Sequence, residues 1–288
     1  MNSTASSSGD PRVAALIQEL RGWPGPHISS HRSASQFFHK LAFLADIGLK
    51  RDDPGIAGIV DRILSALDEH GVPCLSMDIS AAHGGAGTIM KAWALCDAPT
   101  TLYALKAMGV IDPRLDAAVR YLAKLPRAGG YGCAVSEALG EWRGPGKKRD
   151  PCPYATLVML KLLILYRDEY AEEIAACAEC LLDLWEDSAV KHPYIFYMGT
   201  DFRKLKLPTI WYDILHVANV LSQVKGCGSD RRFLEMLNVI NAKKVDDGFI
   251  PESIYQPWKE WDFGQKKHVS KYMTDFIVKI SQRIADSR

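Results

Sequence analysis

The stretch YATLVMLKLLILYRDEYAEEIAACAECLLDLWEDS, residues 154–188, contains two helices of different character. Its first part is apolar at almost every position from Leu157 to Ile164, which indicates a helix buried on all sides. Its second part is amphipathic, with one apolar stripe and one acidic face: Ile174, Cys177, Leu181 and Trp185 against Glu172, Glu173, Glu179 and Asp183. The stretch therefore predicts a helical hairpin with an enclosed first helix and a half-exposed second helix.

The same alternation recurs along the chain. Two further hairpins are predicted from APTTLYALKAMGVIDPRLDAAVRYLAKLPRAGGYG and YDILHVANVLSQVKGCGSDRRFLEMLNVINAKKVDDGF, with Thr101, Thr156 and Ile214 as equivalent positions. A fourth precedes them, from SQFFHKLAFLADIGL and DPGIAGIVDRILSALDEHG, and SKYMTDFIVKISQRI forms a last single helix. An extra helix is predicted near Val13–Leu20. Repeats of this size stack so that neighbours bury each other's faces.

The predicted fold class is all-α, an α/α toroid of helical hairpins that forms a short or incomplete ring. First helices would lie inside and second helices outside. A ring is preferred to an open array, because an open array needs polar caps and neither terminal helix looks like one. Residues 11–288 are expected to form one domain after a disordered, Ser-rich tail at residues 1–10. No alternating run is long enough to predict a sheet.

Composition excludes several classes of function. The net charge of +1 and the pI near 7.6 give no global field that would attract nucleic acid or an acidic membrane. The longest apolar run, TLVMLKLLILY, is shorter than the roughly 20 residues that cross a bilayer, so no transmembrane segment is expected.

Cysteine usage indicates a reduced, cytoplasmic protein. The chain has seven cysteines, an odd number, and its start lacks the basic and apolar parts of a signal peptide. Cys177 and Cys180 form a CxxC inside the predicted amphipathic helix with no second pair. We expect core or surface thiols there rather than a metal or redox site.

Basic clusters lie in the loops that lead into the predicted inner helices. They comprise Lys147, Lys148 and Arg149, then Arg203, Lys204 and Lys206, then Lys266, Lys267 and His268, with Arg32 in the first loop. Cations at helix starts oppose the helix dipoles, at a cost of about 0.3–1 kcal/mol each, and an anion would reverse that sign. In a ring these loops would meet at one mouth and bind phosphate or diphosphate. The alternative is that the lysines are simply solvated.

Aromatic residues in the same loops extend this prediction to an apolar ligand. Most of them are expected to support packing, and some to line a cavity below the charged rim. A charged head above an apolar hole suits an isoprenoid diphosphate. The predicted substrate-binding residues are Lys147, Lys148, Arg149, Arg203, Lys204, Lys267, Trp211 and Tyr154.

A zinc site is predicted from Asp150, Cys152 and His216. One carboxylate, one thiolate and one imidazole make a zinc set with a fourth position open. Asp213, one turn before His216, could orient its ring or chelate, and Cys133 is a rival ligand. The alternatives are that Asp150 is a helix cap before a proline, that Cys152 is a small core residue, and that His216 is merely hydrogen-bonded.

The repeats with their GG-aromatic turns resemble the α/α toroid of terpenoid cyclases and protein prenyltransferases. GGYGCAVSEALGEWRGPGKKRDPCPYATLVMLKLL is similar to the stretch of prenyltransferase β subunits in which such a turn leads through basic residues to an Asp-x-Cys. The resemblance, over residues 95–255, implies that Asp150 and Cys152 bind zinc and that Lys147 touches the diphosphate. The family's Asp-x-x-His, which holds the zinc histidine, is matched by Asp213 and His216.

The departures from that family limit what the resemblance implies. The chain is shorter than those β subunits and has no room for six hairpins, and the Asp-x-Asp-Asp acid of squalene-type cyclases is absent, so alkene protonation is not expected. The predicted function is a prenyltransferase-like protein, a zinc-dependent transferase that uses an isoprenoid diphosphate. The alternative is a non-catalytic toroid that binds a lipid or phosphorylated metabolite or docks a partner. A zinc hydrolase ranks lower because no general base is identified.

Overall fold

A computed structural model describes residues 9–79, 87–125, 129–140, 150–190, 192 and 196–286. In this part of the chain the structure is mostly helical, with one two-stranded sheet, which confirms the all-α prediction at that level. The chain divides into two compact units. Unit 1 comprises residues 1–126 and 133–144, and unit 2 comprises residues 127–132 and 145–288.

Unit 1 holds the first five helices: α1 Pro11–Leu20, α2 Phe37–Asp46, α3 Ile56–Leu64, α4 Ala98–Ala107 and α5 Pro113–Ala123. The two apolar helices α2 and α4 pack against each other, α1 packs on α2, and α5 packs on α4. Of the predicted disordered tail, residues 1–8 lie outside the described residues. Asp10 is ordered, since its side chain accepts the backbone N–H of Arg12 and caps α1.

The sheet in unit 1 consists of β1 Leu75–Met77 and β2 Met90–Ala92. The strands are antiparallel, with Leu75 opposite Ala92 and Met77 opposite Met90. The prediction that the chain has no sheet is therefore wrong. Strands of three residues are too short to show an alternation of apolar and polar side chains in the sequence.

Unit 2 holds five helices: α6 Pro153–Leu163, α7 Ala171–Asp187, α8 Ile214–Leu221, α9 Arg231–Asn241 and α10 Lys271–Asp286. Helix α6 packs against its partner α7 and against α8, while α8 packs against its partner α9 and against α10. The second helices α7 and α9 also pack against each other. The first and second helices of the hairpins therefore form separate neighbouring rows within this unit.

Burial follows the same division. Every residue of α6 and of α8 is buried, whereas α7 and α9 each bury one stripe. These helices are therefore enclosed or half-exposed as the hydrophobic pattern predicts.

Helix α10 differs from α6 and α8. It buries only Met273, Ile277, Ile280 and Ile284, and it exposes Lys271, Asp275 and Lys279. This polar outer face suits a helix at the end of an array. The prediction that neither terminal helix looks like a cap is therefore wrong for α10.

The N-caps correct the alignment of the repeats. They are Asp97 for α4, Cys152 for α6 and Asp213 for α8. Thr101 and Thr156 lie equally far into their helices, whereas Ile214 follows its N-cap directly. The predicted equivalence of Ile214 with Thr101 and Thr156 is therefore wrong by three residues, because the apolar run at residues 210–212 looks like a first helical turn although it precedes α8. The counterpart of Cys152 is Asp213.

None of the helices in the described ranges combines the length and the apolar character needed to span a bilayer.

Candidate functional site

The candidate site in unit 2 is the start of α8 and the loop before it. Asp213 is the N-cap, and its Oδ1 accepts the backbone N–H of His216 at 3.0 Å. This bond satisfies one of the open N–H groups of the first helical turn and fixes the carboxyl group. Both side chains are buried, with 2% of each residue exposed.

The imidazole of His216 is held in one tautomer. Its Nδ1 lies 2.9 Å from the carbonyl oxygen of Trp211, so Nδ1 carries the proton and donates it to that oxygen. Nε2 therefore presents a lone pair. Neither Nε2 of His216 nor Oδ2 of Asp213 has a hydrogen-bond partner among the described residues. Two buried polar atoms on one helical turn are thus without a hydrogen bond among the described residues, which singles out this turn as a candidate site.

Burial disfavours the charged form of both groups. Desolvation lowers the pKa of His216 to about 3, and the nearby charge of Lys161 acts in the same direction. Desolvation also raises the pKa of Asp213 to about 7, against the hydrogen bond from His216 and the charge of Lys206. At neutral pH, His216 is therefore an uncharged hydrogen-bond acceptor. Asp213 is then partly protonated and partly ionised, because its pKa is close to 7.

Two predicted substrate residues line this turn. The ring of Tyr154 lies 4.2 Å from that of Trp211 and 6.5 Å, edge-on, from that of His216. The hydroxyl of Tyr154 donates to the carbonyl oxygen of Ile210 at 2.9 Å, and Phe196 stacks on Trp211. The structure therefore brings Tyr154, Trp211 and His216 together, and an aromatic wall borders the imidazole.

Cys152 is the N-cap of α6. Its backbone N–H donates to the carbonyl oxygen of Tyr131 at 2.7 Å, and its Sγ accepts the N–H of Ala155 at 3.5 Å. The residue is buried, with 7% exposed. The burial of Cys152 agrees with the alternative of a small core residue. The alternative that Asp150 caps the helix is wrong, because the N-cap of α6 is Cys152.

Asp150, Cys152 and His216 are not brought together as a three-ligand metal group in the described part of the chain. Within the described residues, no group of three His, Cys, Asp or Glu side chains could hold a metal ion. Asp150 is half-buried in unit 2, and the rival ligand Cys133 belongs to unit 1. Of Asp150, Cys152 and His216, only His216 has a buried atom that could bind a metal, Nε2, without a hydrogen-bond partner among the described residues.

The basic clusters have varied surroundings. Lys147, Lys148 and Arg149 lie outside the described residues. The guanidinium of Arg203 lies 5.0 Å from the ring of Trp185, and its Nε donates to the carbonyl oxygen of Met198. These contacts give Arg203 a packing role within the fold.

The other described cations lie in exposed or half-exposed loops. Lys204 pairs with Asp201 at 3.1 Å, and the ammonium of Lys206 lies 4.5 Å from the ring of Tyr255. Lys267 is exposed in a turn, where its backbone N–H donates to the side chain of Gln265 at 2.6 Å. Arg32, in unit 1, is also exposed.

Sequence reasoning missed Lys161. This lysine is 5% exposed within the otherwise apolar α6, and its charge helps to lower the pKa of His216. The signal was present, since a lysine inside an enclosed helix is rare without a polar surrounding.

The CxxC of α7 matches its prediction. Cys177 and Cys180 are both buried, and burial raises the pKa of Cys180 to about 11. A thiol with so high a pKa stays protonated and unreactive at neutral pH, as expected of a packing residue.

Unit 2 also has an open groove of about 940 Å³. It is lined by residues of α7, by the turn after α8 and by the end of α10, among them Ile174, Leu182, Val224 and Arg283. None of the described members of the predicted substrate or metal sets lines it. The groove is thus distinct from the turn that holds His216.

The start of α8 can therefore accept a hydrogen bond or a metal at Nε2 of His216, beside aromatic rings that suit an apolar group. Comparison of the chain with family models, with curated proteins and with solved structures finds no match.

Proposed function

We propose that the chain is a prenyltransferase-like protein that binds an isoprenoid diphosphate in unit 2 and transfers its prenyl group with the help of zinc. The observation that carries the proposal is the unpartnered Nε2 of the buried His216, beside the rings of Tyr154 and Trp211. The resemblance in the segments around Asp150 and Asp213 supports the same reading. The fold-level part of the proposal is the α/α toroid, supported by the separate rows of helices in unit 2.

The aromatic wall would contact the prenyl chain. An isoprenoid is apolar and branched, so burying it against Tyr154 and Trp211 removes apolar area from water, worth about 25 cal/mol per Å². The diphosphate would be bound by cations of the loops, for which Lys147, Lys148, Arg149, Arg203, Lys204 and Lys267 are the candidates. Charge neutralisation of the leaving group would be the largest contribution to the rate.

Zinc would be held by Asp150, Cys152 and His216. His216 meets the requirement for a ligand, because the carbonyl of Trp211 fixes the ring and leaves Nε2 deprotonated. Cys152 would have to give up the N–H of Ala155 and bind as a thiolate. A bound zinc would keep an acceptor thiol deprotonated and thus nucleophilic.

Metal analysis tests this assignment. Protein purified without chelator is expected to carry one zinc per chain, and C152S, H216N and the double variant are expected to lose it. C74S is the matched control, since Cys74 is a half-buried thiol in unit 1. One zinc that persists in the double variant would refute the ligand assignment.

Binding without chemistry is the second candidate. It is favoured by the structural role of Cys152, whose Sγ already accepts the N–H of Ala155 at the start of α6. It predicts that farnesyl diphosphate raises the melting temperature by mass action but is not consumed. Consumption of the diphosphate at a rate that depends on Cys152 would rule it out.

A further inference from the structure

A second buried polar cluster lies in unit 1, at the start of α4. Nε2 of His31 lies 2.8 Å from Oδ2 of Asp97, and the two residues are 6% and 0% exposed. The loop of His31 is held in turn by His39, whose Nε2 lies 2.9 Å from the carbonyl oxygen of His31. A histidine and an aspartate from distant parts of the sequence are thus fixed together out of contact with water.

Asp97 does not perform the usual task of an N-cap aspartate. The four other aspartates at described helix N-caps, Asp10, Asp112, Asp213 and Asp230, each accept a backbone N–H of their own first turn. Asp97 makes no such bond. Its Oδ2 instead accepts the N–H of Ala94, at 3.1 Å, and the contact with His31. Oδ2 of Asp97 therefore bonds to groups that precede the helix.

Two oxygen atoms remain without partners at this turn. Oδ1 of Asp97 and Oγ1 of Thr100 have none among the described residues, and Thr100 is only 7% exposed. Both residues belong to the first turn of α4, at the N-cap and three positions later. A buried polar atom without a partner costs about 1–3 kcal/mol, so a pair of them indicates a group that supplies hydrogen bonds.

We propose that the first turn of α4 is a ligand site for a primary ammonium group, which donates hydrogen bonds to Oδ1 of Asp97 and Oγ1 of Thr100. An ammonium has three donors and no need of an acceptor, which matches a carboxylate oxygen beside a hydroxyl oxygen. The start of α4 by itself disfavours a cation, but the full negative charge of the buried carboxylate outweighs the partial charge of the helix end, and the same carboxylate would repel a phosphate. His31 positions the carboxylate by holding Oδ2.

This site is independent of the proposed function in unit 2, and nothing in it requires zinc or an isoprenoid. Burial raises the pKa of Asp97, with the hydrogen bond from His31 opposing this change. A carboxyl group in such a setting gains from a bound cation, because the cation stabilises its charged form.

Methylammonium is the probe, because it is the smallest ligand with this group. The full chain is titrated with methylammonium chloride or tetramethylammonium chloride at constant ionic strength, and the melting temperature and the side-chain NMR signals of His31 are followed. Methylammonium is expected to raise the melting temperature and shift His31, and tetramethylammonium, which has no N–H donor, is expected to do neither. T100V is expected to weaken methylammonium binding about tenfold, the loss of one charge-assisted hydrogen bond.

Two variants keep the test decisive. T101V is the matched control, because the hydroxyl of Thr101 already donates to the carbonyl oxygen of Asp97, and its probe affinity is expected to stay unchanged. D97N is expected to abolish the response, and T100V, which keeps the pair of His31 and Asp97, carries the test if D97N does not fold. Equal effects of the two salts, wild-type affinity in T100V, or a water that bridges the two oxygens and stays in saturating methylammonium would each overturn the proposal.

Discussion

Nδ1 of His216 lies 2.9 Å from the carbonyl oxygen of Trp211, and this contact decides which side of the imidazole is available to a ligand. Because the carbonyl can only accept, the proton is on Nδ1 and Nε2 is left as the acceptor. The backbone of the loop before α8 thereby fixes both the orientation and the tautomer of the ring. The position of the Trp211 carbonyl in this loop thus determines which ring nitrogen of His216 can bind a ligand.

Asp213 and His216 give opposite pH dependences of stability. The pKa of Asp213 is about 7 in the folded chain against 3.8, so its contribution is full below pH 4 and is lost as the pH rises through 7. The pKa of His216 is about 3 against 6.5, so its contribution is full above pH 6.5 and is lost as the pH falls. Between pH 4 and 6.5 the two slopes oppose each other.

D213N removes one of these slopes. The wild-type unfolding free energy minus that of D213N is expected to fall by about 1.4 kcal/mol per pH unit between pH 4 and 7 in urea titrations. D168N is the control, since Asp168 is an exposed residue of the same unit and does not act on the pKa of Asp213. A difference that does not change with pH would contradict the burial of Asp213.

Gly130 is expected to tolerate no side chain. A Cβ there would lie 2.6 Å from Sγ of Cys180 and 2.7 Å from Oγ1 of Thr156. G130A should lower the unfolding free energy by about 1–3 kcal/mol through overpacking. G58A is the control, because Gly58 lies within α3 with open space around it, and it should raise stability by about 0.5–1 kcal/mol. Equal effects of the two changes in thermal unfolding would argue against close packing of the GG turn.

Arg232 is expected to hold α9 on α7. Its guanidinium pairs with Glu179 at 2.8 Å and with Asp183 at 2.7 Å, both on α7, and with its own N-cap Asp230 at 2.9 Å. R232M should cost about 1–2 kcal/mol, and less at high salt, because three carboxylates lose a shared partner. R231M removes a neighbouring side chain that is 66% exposed and should cost under about 1 kcal/mol. Chemical denaturation at two salt concentrations would detect the difference, and equal losses would refute it.

Tyr154 has separable roles in stability and binding. Y154F removes the hydrogen bond to Ile210 and should cost about 1 kcal/mol of stability while keeping the ring beside Trp211. Y154L removes one ring of the aromatic wall and should weaken binding of farnesyl diphosphate at least tenfold more than Y154F does. Identical affinities of the two variants, measured by calorimetry, would exclude the ring from the site.

The hairpins could be predicted because their signal is local. Enclosed α6 and half-exposed α7 differ in periodicity over a few turns, and each pattern determines its own burial. The register of the third repeat could not be predicted, because the apolar residues 210–212 satisfy the helical pattern and only the hydrogen bonds of Asp213 show where α8 begins. The surroundings of the charged side chains could not be predicted for a related reason. The contact of Arg203 with Trp185 depends on packing between segments that no local pattern reports.

The candidate site was partly predictable. Residue type and spacing single out His216, Tyr154 and Trp211, and the chain brings these three together. The cap bond of Cys152 and the pairing of His31 with Asp97 are not visible in the sequence, because each depends on which backbone atoms come within reach after folding.

The most direct test of the proposed function is calorimetric titration of the whole chain with farnesyl diphosphate. The account predicts saturable binding to the wild type, at least tenfold weaker binding to H216F and W211A, and unchanged binding to H70Q, whose histidine stacks on Tyr121 in unit 1. No binding to the wild type, or equal affinity of H216F and the wild type, would contradict the account.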